Sequence, residues 1–119
     1  MSQRPELDIL LNGEKKPDEA FMHEVLRPIL KKQHFILVES LQAQKHVNKE
    51  LLNGSDEGKK RRYLTELIKK NQPLKHQILG MIVGIMTTEE RAYYWNNEKN
   101  LNKRIIGMAI TRIHSHYSL

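Results

Sequence analysis

Apolar residues recur along this chain at steps of three and four, and the pattern is helical almost from end to end. Leu7, Leu10 and Leu11 mark a short first helix over 5–11, opened by Pro5 and stopped by Asn12-Gly13. Pro17, with Asp18 and Glu19 in the first turn, opens a longer series of Met22, Leu26, Ile29, Leu30, Leu37, Leu41, Val47 and Leu51. Pro28 interrupts it, because a proline there removes the backbone bond to Glu24 and disfavours helical geometry at Arg27. The spacing predicts either one kinked helix or two, over 17–27 and 29–52. Phe35-Ile36-Leu37-Val38 is wider than one stripe and predicts a segment buried on more than one side.

Ser55 is expected to cap the next helix, whose inner face carries Tyr63, Leu64, Leu67 and Ile68 before a stop at Asn71-Gln72-Pro73. Pro73 begins a helix through Leu74, Ile78, Met81, Ile82 and Ile85, and Thr87 with Glu90 has the spacing of a capping box. The last helix carries Tyr94, Leu101, Ile105, Met108, Ile113 and Tyr117 on one side, with Asn96-Asn97 as the point where it can break. Together these elements predict an all-α fold. It is an irregular bundle of four to six helices in a single domain over 1–119, centred on 78–86 and 101–113, with 1–16 as a loosely attached helix and connector. Leu-Leu-Asn-Gly occurs at 10–13 and again at 51–54, too few copies for a solenoid.

Helix length adds an expectation about assembly. Continuous helices over 29–52 and 88–117 would span roughly 36 Å and 45 Å at 1.5 Å per residue. A compact domain of this size has a radius of gyration of only about 13–14 Å. Such helices must break, fold into an elongated hairpin or bury their excess against a second copy, so self-association is expected.

Composition narrows the chemistry. The 119 residues are 39% hydrophobic and 29% charged, and 20 Lys and Arg against 14 Asp and Glu leave a net charge of +6. That excess permits contact with nucleic acid or acidic partners. The absence of cysteine excludes disulfides, a thiolate nucleophile, a zinc finger and an iron–sulfur site. No apolar run approaches the roughly 18 residues of a membrane span. The opening Met1-Ser2-Gln3-Arg4-Pro5-Glu6 lacks the apolar region of a secretory signal, so a cytoplasmic protein without a membrane role is expected.

Motifs for catalysis and cofactors are sparse. Gly80 and Gly84 are followed by Ile85-Met86, not by the Lys-Ser or Lys-Thr of a phosphate loop. With Gly107 and Thr111, they read instead either as small pairs that let helices pack closely or as glycines tolerated in a buried helix. The six histidines form no Glu-x-x-His pair on two helices, and His114 and His116 point about 200° apart around a helix. Surface or boundary positions are expected for all six, with no metal and no cofactor. No serine sits in a nucleophile elbow, so no catalytic residue is assigned and a non-enzymatic role is expected.

Two features point to partners. Tyr93, Tyr94 and Trp95 spread over more than half a helical turn, so at least one must leave the core, where aromatics act as interface anchors. Lys59, Lys60, Arg61 and Arg62, with Lys69 and Lys70, are the candidate phosphate contacts, although they spread around their helix and do not form one stripe. The helix after them is too apolar to read base edges. Leu7, Leu10 and Leu11 also have the spacing of a groove-docking helix. The leading expectation is a small protein–protein interaction module, an adaptor or regulator acting as a homodimer with an unidentified protein partner. A nucleic-acid-associated protein using Lys59 to Arg62, Lys69 and Lys70 is the alternative. An enzyme with dispersed histidines or carboxylates comes third.

Overall fold

Pro17 begins helix α1 (Pro17–Phe21) in the computed structural model, which describes residues 17–45 and 47–118. The helix expected over 5–11, with its Leu7-Leu10-Leu11 pattern, lies outside the described residues. A single wide π-helical turn, Met22–Leu26, follows α1 and passes directly into α2 (Arg27–Lys32), with the Arg27 N–H donating to the Met22 carbonyl. Pro28 stands in the first turn of α2 and explains the wide turn. It has no N–H for the regular ladder, and widening the turn before it keeps the helical path without a break.

The chain instead bends at Gln33, whose backbone (φ −93°, ψ 11°) leaves helical geometry between α2 and α3 (His34–Gln42). Gln33 Nε2 donates to the Met81 carbonyl at 3.1 Å and ties the bend to the helix that carries Met81. α3 ends at Gln42, and α4 (Lys49–Asn53) is capped by Asn48 Oδ1, which accepts from Leu51 N at 3.0 Å. The expected helix over 29–52 is therefore three separate pieces. Three more helices follow: α5 (Glu57–Lys70), α6 (Gln72–Val83) and α7 (Thr88–Asn96). α8 (Glu98–His116) completes the chain after a break at Asn97. Both helices of predicted excess length break into shorter pieces, one of the three outcomes expected for them, and the radius of gyration is 15.3 Å.

Local capping explains most boundaries. Asp56, not Ser55, caps α5, its Oδ1 accepting from Lys59 N at 3.1 Å, because the helix begins one residue later than expected. Asn71 caps α6 by accepting from Leu74 N at 3.0 Å. Thr87 and Glu90 form the reciprocal capping box: Glu90 N donates to Thr87 Oγ1 at 3.2 Å, and Thr87 N donates to Glu90 Oε1 at 2.8 Å. Arg91 donates to the Val83 and Met86 carbonyls, so this cation serves the end of α6 and not the basic surface.

The architecture is an irregular all-helical bundle, with no strand among the described residues. α8 runs through its middle and packs against α2, α3, α5, α6 and α7. Leu101, Ile105, Ala109 and Ile113 line its inner side and meet Leu64 and Ile68 of α5 and Ile78 and Ile82 of α6, all buried. Each large aliphatic side chain removed from water contributes about 1.5–3 kcal/mol, which is why this stripe sets the position of α8.

Two expectations about packing fail. Leu37 and Val38 are buried, but Phe35 is 73% and Ile36 49% exposed, so the four residues are not buried on more than one side. A Cβ at Gly80 or Gly107 would meet nothing within 4 Å, so neither glycine mediates close helix packing.

Candidate anion-binding site

The π turn delivers Arg27 to the start of α2, one turn before Leu30, and α8 runs alongside with Arg104, Met108 and Arg112 at successive four-residue steps. Residues four apart share a helix flank, so the two elements enclose a groove of about 520 Å³. Leu30 and Met108 are apolar in its lining, Thr111 and Ser115 supply hydroxyls, and Arg27, Arg104, Arg112 and His34 supply cationic or titratable nitrogen. No carboxylate lines it among the described residues. The two ion pairs found among those residues, Lys59–Asp56 at 4.0 Å and Lys70–Glu66 at 3.5 Å, lie elsewhere on the surface. The volume falls in the range of small-molecule sites.

Hydrogen bonds arrange the groove. Arg112 Nη1 lies 3.4 Å from His34 Nδ1, and His34 Nε2 lies 3.2 Å from His116 Nδ1. Arginine only donates, so His34 Nδ1 is the acceptor, and its Nε2 carries the proton toward His116. Burial, then Arg112, then His116 hold the His34 imidazole below its ordinary value. A neutral His34 leaves the Arg112 guanidinium with further N–H groups for a ligand. Arg104 Nη1 reaches the Met22 sulfur of the π turn at 3.6 Å, a soft contact. Three guanidiniums around one concavity suit planar, bidentate recognition of phosphate or carboxylate.

A second groove of about 520 Å³ lies on the other flank of α8, against α5 and α6. Lys69, Lys75 and Lys103 line it with Asn102 over apolar Leu79, Ile106 and Ile110, again with no carboxylate among the described residues. Gly107 belongs to both grooves.

The residues singled out in the sequence are dispersed. Lys69 enters the second groove, whereas Lys59 and Lys70 pair with Asp56 and Glu66, and Arg61 and Arg62 are exposed on α5. Lys60 is half-buried on the same helix. Tyr94 is a core residue, its hydroxyl donating to Asn102 Oδ1 at 2.5 Å. Tyr93 is half-buried, packs on Phe21 with ring centres 4.8 Å apart, and donates its hydroxyl to Asp18. Asn100 also donates to that carboxylate, at 3.2 Å. Burial, and then Asp18, push the Tyr93 hydroxyl far above the usual phenol value. Of the three aromatics, Trp95 is the exposed one, at 58%, resting edge-on against Tyr94.

His114 lies toward α5, within 3.0 Å of Thr65 Oγ1, while His116 meets α3, so the two do not converge. Among the described residues no three His, Cys, Asp or Glu side chains are placed to hold a metal ion. No described helix is long and apolar enough to cross a membrane. Sequence reasoning missed Arg27, Arg104 and Arg112, although the four-residue step from Arg104 through Met108 to Arg112 was a readable signal. Comparison with family models, curated proteins and solved structures found no match.

Proposed function

We propose that this chain is a non-enzymatic binding module whose working surface is the groove between α2, α3 and α8, and whose ligand carries phosphate. The observation that supports this most directly is the convergence of Arg27, Arg104 and Arg112 on one concavity with no acidic lining residue among those described. Guanidiniums that line one groove repel one another, and a dianion relieves that repulsion while accepting their N–H groups. The test is isothermal titration of pyrophosphate into the protein at low salt. A saturable one-to-one isotherm is expected, weakened about tenfold or more by Arg27→Gln or Arg112→Gln and unchanged by Lys59→Gln. Unchanged binding by Arg112→Gln refutes the assignment.

A second reading is favoured by exposed Phe35, Ile36 and Trp95: an adaptor or regulator that meets a protein partner, or a second copy of itself, through apolar anchors. Light scattering coupled to size-exclusion chromatography tests it. A dimer mass that Trp95→Ala or Phe35→Ser reduces supports this reading, and a monomer at high concentration removes the homodimer.

A further inference from the structure

The two basic grooves meet at one residue. Gly107 lines both, is exposed, and has open space where a Cβ would stand. Glycine in the middle of a helix is less stable than alanine, and packing within this chain does not call for it here. Its effect is to lower the ridge of α8 between Arg104 and Arg112 on one side and Lys103 on the other. Gly80 is the natural control, since it is equally exposed and open on α6 but lines neither groove.

We propose that a flexible single strand of nucleic acid crosses α8 at Gly107, its phosphates held in both grooves. This rests on the phosphate-binding reading above and extends it from one anion to a polymer. Three observations choose the polymer. Each groove is cationic with an apolar part, Leu30 and Met108 in one and Leu79, Ile106 and Ile110 in the other, which suits bases and sugars better than an acidic peptide. Phe35, 73% exposed, stands edge-on to His34 of the first groove with ring centres 5.2 Å apart, and offers a face on which a base can stack. The grooves are concave and one helix apart, a path that a flexible strand follows and a stiff duplex does not. A cationic track beside an exposed aromatic is the usual basis of sequence-tolerant single-strand binding.

The experiment measures anisotropy of a labelled oligothymidylate over a range of salt, beside the pyrophosphate titration. Contact with the six cations of both grooves predicts a log–log salt slope of about −4, and one groove alone about −2. Lys103→Gln, which lines the second groove but not the first, is expected to leave pyrophosphate affinity unchanged and to weaken the oligonucleotide. Gly107→Leu is expected to fold with a melting temperature at or above wild type. It should weaken oligothymidylate about tenfold or more and move the slope toward −2, with Gly80→Leu binding as wild type does. Phe35→Ala should weaken the oligonucleotide and not pyrophosphate. If Gly107→Leu binds the strand as tightly as wild type while pyrophosphate still binds, the crossing is wrong and the phosphate site stands. Equal affinity for polyglutamate or for duplex overturns the choice of ligand. Failure of pyrophosphate itself to bind removes the underlying reading, and the crossing with it.

Discussion

Replacing Gly80 by alanine should make this protein more stable, and replacing Gly84 should do the reverse. Both residues lie at or near the end of α6, four positions apart, and both have ordinary helical surroundings in sequence. At Gly80 an added Cβ meets nothing within 4 Å, so the substitution acts only through helix propensity, a gain of about 1 kcal/mol. At Gly84 the Cβ would stand 2.9 Å from the Gly80 carbonyl oxygen, a backbone atom that cannot swing aside. Overpacking of that kind costs about 1–3 kcal/mol, more than the propensity returned. A chain of 119 residues unfolds with an entropy near 0.25 kcal/mol/K, so Gly80→Ala is expected to raise the melting temperature by about 4 °C. Gly84→Ala should lower it. Circular dichroism during thermal and urea unfolding reads both. A fall for Gly80→Ala would mean that its face of α6 is covered and not open. An equal rise for both variants would refute the geometry at Gly84.

Three further outcomes follow from the same contacts. Thr87→Ala removes one arm of the capping box at α7 and should cost about 1 kcal/mol in urea unfolding, with helix content otherwise retained. Asp18→Asn removes the carboxylate that, after burial, holds the Tyr93 hydroxyl high, so a phenolate absorbance titration should show that tyrosine ionising at lower pH than in wild type. His34 is held below its ordinary value of 6.5 by burial and by Arg112 and His116, so the unfolded chain takes up this proton first as pH falls. Stability from His34 is whole above that value and is lost below it. Wild type should therefore lose more urea resistance than His34→Asn between about pH 7 and pH 5, and an equal loss in both refutes the coupling.

The basic residues show how far a site can be read in one dimension. Lys59 to Arg62 attract attention because they are adjacent, yet adjacency on a helix scatters them around its circumference, and Lys59 is paired with Asp56 of its own first turn. Arg112 and His34 stand 78 positions apart and are brought within 3.4 Å by the packing of α3 on α8. The aromatic triplet divides for the same reason. Tyr94 points with Leu101 and Ile105 into the core, Tyr93 reaches α1, and Trp95 is left to solvent. Spacing showed that the three rings diverge, but which of them stays out depends on where neighbouring helices lie.

What the sequence determined by itself is the short-range part of this protein. The helical period, the break at Asn97, the capping box at Thr87 and the inner stripe of α8 all follow from interactions within a few residues, whose strengths do not depend on the rest of the chain. Only the tertiary structure decided the answer to Pro28, absorbed by a π turn upstream while the bend falls at Gln33. Tertiary packing alone decided that Phe35 and Ile36 face water and that Arg27 shares one groove with Arg104 and Arg112 of α8. Burial and convergence depend on how helices cross, and helix crossings are set by the whole core at once.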